Sequence, residues 1–586
     1  MSIPQVFSLL GGVALFLFGM TTMGDGLKRV AGNRLELILY RLSGTPFRGL
    51  LLGTGVTGVI QSSCATSVMV VGFVNSGMMK VRQSVSVILG AILGTSVTGW
   101  VICLGYIDGA GGLKSLLSTA TLTGVVAVIG IILRIFSKSV FKQHVGDILM
   151  GFSVLMFGMS AMSAAVSPLG SAPQFTSFLS SLSNPLLGIL VGTLFTAVLQ
   201  SASAAVGIVQ ALAVTGAMSV AEALPLLMGI AIGASAPVLL SAIGAGADGK
   251  RAALVYPTAS ILGVGILAIV FYPLNAAFSF PFMGLTVSPF SVAAVNSVLR
   301  IAMTALLMPF YRVLESLVTH LVKEKAQPET EGPELRLEER FLSHPALAVE
   351  QVRMAISEMA KLARNSVRRA IKLLNEFSEE GCAAVDAMEN AADIYEDKLG
   401  SYLMKLTQVE LTKQQNAAVA KDLRTLTDLE RISDHALNIS ESAAELHEKA
   451  LQFSPQAAAD LDVITSALNE ILHITVRAFE TEDPGAAKDV EPLEQRIDEL
   501  IDEMKHRHVE RLQNGECTIL QGFVFNDLLT NFERISDHCS NVALAILELH
   551  DSEVEAHSYL QALREGEDAS FSAAYEDFAQ RYTLTN

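Results

Sequence analysis

Seven long apolar stretches recur in the first half of the chain, at 6–23, 85–105, 116–133, 148–166, 223–243, 252–276 and 290–311. Each approaches the roughly 20 residues with which a helix crosses a bilayer. The first lacks the basic start and small-residue cleavage site of a signal peptide and reads as an uncleaved span. Two further segments, 50–74 and 186–213, are apolar but rich in Gly, Ser and Thr, with polar clusters at their centres. After Lys323 the pattern changes. The stretch 323–341 is charged, contains Pro328 and Pro333, and reads as a linker. Beyond it apolar positions recur at helical spacing to about residue 552, with almost no strand signal. The pattern predicts an all-α protein: a polytopic membrane domain over 1–322, a helical domain over 342–552 and an acidic tail over 553–586.

Charge sharpens the division. Residues 1–322 hold 15 Lys+Arg against 7 Asp+Glu, whereas residues 323–586 hold 26 against 51. So acidic a second half argues against nucleic acid as the main partner, because phosphate backbones need a basic footprint. The five cysteines, at 64, 103, 382, 517 and 539, form no CxxC pair, which argues against a zinc ribbon or a disulfide scaffold. In the first half, let 50–74 and 186–213 be re-entrant hairpins. Lys28, Arg29, Arg34, Arg41, Arg48, Lys80, Arg82, Arg134, Lys138, Lys142, Lys250, Arg251 and Arg312 then share one face, and only Lys114 falls in a loop on the other. The positive-inside bias therefore favours seven spans and two hairpins in a cytoplasmic membrane, with the second half in the cytoplasm.

An internal repeat supports this topology. A shift of 139 residues aligns Gly12 with Gly151, Phe18-Gly19-Met20 with Phe157-Gly158-Met159, Gly53-Thr54 with Gly192-Thr193, and Gln61-Ser62 with Gln200-Ser201. The register continues without a gap through Gly90/Gly229, Gly94/Gly233 and Ser96/Ser235. One unit, about 5–138, contains three spans and a hairpin, an odd number of crossings, so the second, about 144–276, is predicted to be inverted. Residues 25–48 carry five positive charges and their counterparts, 164–187, carry none, as inversion requires. Inverted repeats with broken helices are an architecture of secondary transporters, with substrate near the midplane. The last span, 290–311, follows the second copy.

The hairpin centres read Gln61-Ser62-Ser63-Cys64-Ala65-Thr66-Ser67 and Gln200-Ser201-Ala202-Ser203-Ala204. Half-helix amides with hydroxyl donors suit an oxyanion, and hydroxyl and amide oxygens with freed carbonyls suit a monovalent cation. Such residues also serve simply to let membrane helices pack closely; two copies in register favour a site. Arg300 lies within the last apolar stretch, where an unpaired charge costs at least about 2.5 kcal/mol. It is expected to face protein or water, with Asn296 one turn earlier as its structural partner and an anionic substrate as the functional alternative. Glu222, Asp248 and Glu315 fall at span ends and read as solvated.

Residues 11–100, with Gly11-Gly12-Val13-Ala14-Leu15-Phe16-Leu17-Phe18-Gly19-Met20, Gln61-Ser62-Ser63 and Gly72-Phe73-Val74-Asn75, resemble the type II sodium/phosphate cotransporter family. The resemblance extends over about 5–312. It implies a symporter with phosphate at Ser62, Ser63, Ser201 and Ser203, and sodium at Gln61, Gln200, Thr95, Ser96 and Ser235. The chain departs from the family at Cys64 and Ala202, where the family carries serine. The family's Gly-Ala-Asn-Ile-Gly-Thr-Thr is here Gly90-Ala91-Ile92-Leu93-Gly94-Thr95-Ser96 and Gly229-Ile230-Ala231-Ile232-Gly233-Ala234-Ser235. Both asparagines are gone, which removes an amide ligand from each repeat.

The second half repeats as well. Glu430-Arg431-Ile432-Ser433-Asp434-His435 returns as Glu533-Arg534-Ile535-Ser536-Asp537-His538, and Glu389 with Asp393 returns as Glu494 with Asp498. Two three-helix units, 342–450 and 455–552, account for the segment. Paired acids at i and i+4 share a helix face; they form either a solvated acidic surface or a patch for Mg, Mn, Ca or iron. These elements resemble the PhoU domain, a regulator of phosphate uptake built as two three-helix bundles. That resemblance implies metal clusters at Glu389, Asp393, Glu430, Asp434, Glu494, Asp498, Glu533 and Asp537, and a regulatory contact with the transport domain or another protein.

The two resemblances converge on one expectation: a sodium-coupled phosphate transporter of the cytoplasmic membrane, regulated by its cytoplasmic domain. No Walker loop, kinase signature or Ser-His-Asp arrangement suggests an enzyme. The alternatives are an exporter of phosphate or another oxyanion, and a membrane-anchored regulator with a degenerate pore.

Overall fold

The computed structural model describes residues 3–31, 39, 44–106, 119–168, 172–323, 335, 337–550 and 569–584. Arg34, Arg41 and Lys114, most of the linker and residues 553–568 of the tail lie outside the described residues. Among the described residues the chain is helical, with no strand beyond one isolated bridge between Ser219 and Thr286. It divides into two units, Met1–Ala326 and Gln327–Asn586.

In the first unit the helices of the first copy are α1 (Ile3–Ala31), α2 (Pro46–Ile60), α3 (Ser63–Asn75), α4 (Val81–Cys103) and α5 (Thr119–Phe136). The second copy supplies α6 (Val140–Val166), α7 (Pro173–Ser181), α8 (Pro185–Leu199), α9 (Ala202–Ala213), α10 (Val220–Gly233), α11 (Ala236–Ser241) and α12 (Ala247–Phe278). Helices α13 (Pro289–Leu307) and α14 (Tyr311–Leu321) complete the unit. Among the described residues six segments are long and apolar enough to cross a membrane: Pro4–Ala31, Val81–Tyr106, Val140–Val166, Val220–Ser241, Ala247–Phe278 and Pro289–Leu321. The seventh expected span, 116–133, is realised as the shorter α5, and residues 116–118 are not among those described. Large apolar side chains such as Ile135, Leu186 and Val198 point outward, as lipid-facing surfaces do.

Glycine sets the packing of this unit. Helix α1 lies backbone to backbone on its counterpart α6: a Cβ on Gly19 would fall 2.2 Å from Leu155 N, and one on Gly158 would fall 2.3 Å from Phe16 N. Gly12 faces Gly158 while Gly19 faces Gly151, so the two helices run in opposite directions. Helices α2 and α4 repeat their own geometry in α8 and α10. A Cβ on Gly90 would meet Leu50 O at 2.1 Å, and one on Gly229 would meet Ile189 O at 2.2 Å. Thr54 Oγ1 donates to Gly90 O at 3.1 Å, as Thr193 Oγ1 does to Gly229 O at 3.2 Å.

The second unit contains α15 (Pro345–Asn375), α16 (Glu379–Leu406) and α17 (Lys413–Glu448), then α18 (Pro455–Thr481), the short α19 (Pro484–Lys488), α20 (Val490–Gln513) and α21 (Ile519–His550). Within the acidic tail Ala569–Arg581 forms α22, which packs on α20. Phe578 and Leu584 are buried there, and Arg496 donates to Tyr582 O at 3.0 and 2.7 Å. Two apolar side chains and a captured carbonyl anchor a segment whose charge alone suggests solvent.

The copies of this unit cross at their histidines. The rings of His435 and His538 stack at 5.8 Å. His435 Nδ1 meets Asn531 Oδ1 and His538 Nδ1 meets Asp428 Oδ1, both at 2.9 Å.

Candidate anion site and carboxylate clusters

Both polar motifs interrupt a helix in the same way. Helix α2 ends at Gln61 with φ 60°, and α8 ends at Gln200 with φ 54°. This left-handed conformation is uncommon for a residue with a side chain and concentrates at functional sites. Ser62 and Ser201 then cap the next helices, their Oγ atoms accepting from Ala65 N and Ala204 N at 3.2 Å. A capping serine accepts with its oxygen and keeps its own O–H to donate. In the first copy the chain folds back on itself. Thr57 Oγ1 donates to Thr66 Oγ1 at 3.0 Å, whereas a straight helix would set those residues about 13 Å apart along its axis. In the second copy Thr66 is replaced by Ala205, and the buried Thr196 Oγ1 has no partner.

A charged cluster forms where the first motif meets the rest of the unit. Ser63 Oγ lies 3.2 Å from the hydroxyl of Tyr256 on α12, which in turn sits beside the Arg300 guanidinium of α13. Cys64 Sγ lies 3.4 Å from Ala234 O, bringing the first motif to the Gly-rich segment of the second copy, next to Ser235. Arg300 is fully buried. Its Nε donates to Asn296 Oδ1 at 3.1 Å, the partner expected from the sequence, and its Nη1 donates to Ile92 O at 3.1 Å. Its Nη2 is buried without an acceptor.

No carboxylate among the described residues reaches Arg300; those of this unit are engaged elsewhere. Asp25 pairs with Lys28, Asp147 with Arg134, Asp248 with Arg251 and Glu315 with Arg82. Glu222 accepts from its own helix cap at Ser219. A buried, uncompensated guanidinium is expensive unless an anion joins it.

The other expected residues fall around this cluster or apart from it. Gln61 is buried, its Nε2 turned onto Gly58 O and its Oε1 without a partner. Ser96 Oγ is likewise buried and unpartnered, whereas Thr95 Oγ1 donates to Ala91 O and Ser235 Oγ to Ile232 O. Ser203 is buried in the first turn of α9, while Gln200 is exposed. Sequence reasoning missed Tyr256 and Thr304. The signal was there: Asn296, Arg300 and Thr304 recur every fourth residue on one face of α13, and each has a buried polar atom without a partner.

In the second unit six of the eight implied metal ligands converge. Glu389 and Asp393 of α16 meet Asp434 of α17, and Glu494 and Asp498 of α20 meet Asp537 of α21, with the ligand oxygens of each group within 4.8 Å of one another. Glu430 and Glu533, one turn before the third ligand of each group, are not part of them; Glu533 accepts from Lys505 at 3.1 Å. Asp498 Oδ1 is buried with no partner. All-oxygen triads, the second with an orphaned oxygen, fit a hard cation such as Mg, Mn or Ca, or iron.

Burial, with Asp434 next in effect, pushes the Glu430 carboxyl up to about 7; burial and then Asp537 push Asp498 up to about 6. Because these folded values lie above the ordinary 4.5 and 3.8, the cation-free unit loses stability as pH rises through the two windows. A divalent cation held at the triads would offset that loss. Thermal melts of the chain with EDTA are therefore expected to fall from pH 5 to pH 8, and manganese to raise the melting temperature more at pH 8 than at pH 5. An equal effect of manganese at both pH values would show that the clusters do not bind it.

These features define a multi-pass membrane protein with a buried cationic site and an appended helical domain. Its membrane unit belongs to the Na+/Pi-cotransporter family, which residues 15–164 and 168–294 match, and its second unit carries a PhoU domain, matched at 356–443 and 464–546. The chain is 23% identical over 560 residues to a Salmonella typhimurium protein provisionally named inorganic phosphate export protein YjbB, covering 94% of this chain and 99% of that one. It is 33% identical over 104 residues to human sodium-dependent phosphate transport protein 2B, covering 17% and 15% of the two chains. Among solved structures, PhoU from Pseudomonas aeruginosa matches 34% of this chain and 96% of its own at 20% identity, with a TM-score of 0.33.

Proposed function

We propose that the protein moves inorganic phosphate across the cytoplasmic membrane in company with sodium, and that its second unit lies in the cytoplasm and regulates this movement. The observation that carries the reading is Arg300: a buried guanidinium with a free N–H and no carboxylate, beside Ser63 and Tyr256, in a chain of a phosphate-transporter family. Phosphate supplies the missing negative charge. Ser62, Ser63, Ser201 and Ser203 stand at the N-termini of α3 and α9, where amides and helix dipoles favour an anion. Gln61 Oε1 and Ser96 Oγ, buried oxygens without partners, suit sodium; Gln200, Thr95 and Ser235 are the remaining candidates. The antiparallel contact of the counterpart helices α1 and α6 supports inverted repeats, and the fold-back at Thr57 and Thr66 supports a re-entrant hairpin. The cytoplasmic unit holds divalent cations at its two carboxylate triads, which link transport to metal or phosphate status.

Export is the second reading. It is favoured by the relative named for phosphate export, which matches nearly the whole chain. Radiolabelled phosphate is followed in proteoliposomes under inward and outward sodium gradients, then with potassium replacing sodium, for the wild type and Gln61→Ala. Sodium-driven flux that is lost in Gln61→Ala is expected. Flux indifferent to sodium would remove the coupling, and no phosphate flux in either direction would remove the transport reading itself.

A further inference from the structure

The second half of the chain carries nearly two carboxylates for each cation, 51 Asp+Glu to 26 Lys+Arg over residues 323–586. A cation there has abundant partners, and most take one: Lys361 pairs with Glu358 and Glu480, Arg353 with Glu350, Arg507 with Asp460 and Glu503. One face of α15 breaks this pattern. Arg364, Arg368 and Lys372, at four-residue steps, line a cavity of about 650 Å³ whose opposite wall is Asn469, Glu470 and His473 of α18, with Tyr582 also on its lining.

Among the described residues neither Arg364 nor Arg368 forms an ion pair. Arg364 Nε is buried without an acceptor. Lys372 reaches only Glu376, at 3.1 Å, and both side chains are largely exposed. The one carboxylate on the lining, Glu470, is already held by Arg581 at 3.0 and 3.2 Å and by the Tyr582 hydroxyl. Across the cavity Asn469 Nδ2 donates to Thr465 O at 2.8 Å, which leaves Asn469 Oδ1 buried and without a donor.

Two arginines left unpaired amid excess carboxylate, with Lys372 one turn further on, repel one another until a multiply charged anion joins them. Arginine forks match phosphate oxygens two at a time. The cavity volume lies within the roughly 300–1,000 Å³ of small-molecule sites, far more than a lone phosphate fills, and the orphaned Asn469 Oδ1 asks for an N–H or O–H. We propose that this cavity binds a phosphorylated small molecule of nucleotide size, its phosphates on Arg364, Arg368 and Lys372 and a donor of its organic part on Asn469 Oδ1. The ligand closes against Tyr582, so the docked C-terminal segment forms part of the site. This goes beyond the transport reading and holds for either direction of transport.

The test is calorimetric titration of the full-length protein in detergent, with EDTA present to keep metal off the carboxylate triads. The probes are ATP, ADP, pyrophosphate and inorganic phosphate; the proteins are wild type, R364Q/R368Q, R364K/R368K, N469L and Ser63→Ala. ATP and ADP are expected to bind the wild type, and R364Q/R368Q to weaken them at least about tenfold through lost charge-assisted hydrogen bonds. R364K/R368K should retain part of the affinity, N469L should lose several-fold, and Ser63→Ala should leave nucleotide binding unchanged. Nucleotide binding that is absent, or unaltered in R364Q/R368Q, overturns the site. Pyrophosphate or inorganic phosphate binding as tightly as either nucleotide, and weakened by R364Q/R368Q, overturns its assignment to a larger ligand.

Discussion

Arg300→Met is expected to lower phosphate flux in proteoliposomes at least about 100-fold, equivalent to about 2.7 kcal/mol, while the protein stays folded. The two outcomes separate function from architecture. If Arg300 were only a structural strut, its loss would cost stability, because Asn296 Oδ1 and Ile92 O would lose their donor. But the same substitution removes a buried charge that no carboxylate offsets, and an apolar side chain of similar length in such a place is often neutral or stabilising. Melting temperature should therefore change little while flux disappears. Arg300→Lys should keep part of the flux: it preserves the charge and loses the planar fork that reaches Asn296, Ile92 O and the anion together. Flux within a few-fold of wild type in Arg300→Met would sink the assignment of Arg300 to the substrate.

Gly90→Ala and Gly229→Ala are each expected to destabilise the membrane unit by about 3 kcal/mol, at the upper end of what overpacking costs. The added methyl would sit 2.1 Å from Leu50 O in one case and 2.2 Å from Ile189 O in the other. Both obstacles are backbone atoms of a neighbouring helix and cannot rotate aside. The helices must separate, and the bonds from Thr54 and Thr193 onto these glycine carbonyls lengthen with them. Gly55→Ala is the control, because a Cβ there meets nothing within 4 Å. Detergent melts that place Gly90→Ala and Gly229→Ala level with Gly55→Ala would show that the close approach does not stabilise either copy.

Much of this molecule was legible in its residues because duplication writes the same geometry twice. The 139-residue register aligned Gln61-Ser62 with Gln200-Ser201, and the structure makes both glutamines left-handed and both serines helix caps, since a repeated motif must solve the same local problem. Tyr256 escaped because its role depends on a contact 193 residues away in the chain, with Ser63, and one aromatic in an apolar span carries no local mark. The resemblance to PhoU grouped Glu430 and Glu533 with Asp434 and Asp537; i, i+4 spacing assigns a shared face but not the reach of a side chain, and Lys505 claims Glu533. The docking of α22 was hidden for a related reason. Its anchors are two scattered apolar residues and a backbone carbonyl, and composition averages them away.

The contact between the counterpart helices α1 and α6 has a property that contacts between non-counterpart helices lack. Under the register, the pair Gly12 and Gly158 maps onto Gly151 and Gly19, which already touch. Suppose the first copy takes up the shape of the second and the second that of the first. The contacts of non-counterpart helices are then exchanged for different ones, but this one is carried into itself. Glycine backbone stands at its centre, flanked by Phe16, Leu155, Met159 and Met162. Among the described residues the helix pair is thus a natural axle: such an exchange of shapes would leave its contact unchanged.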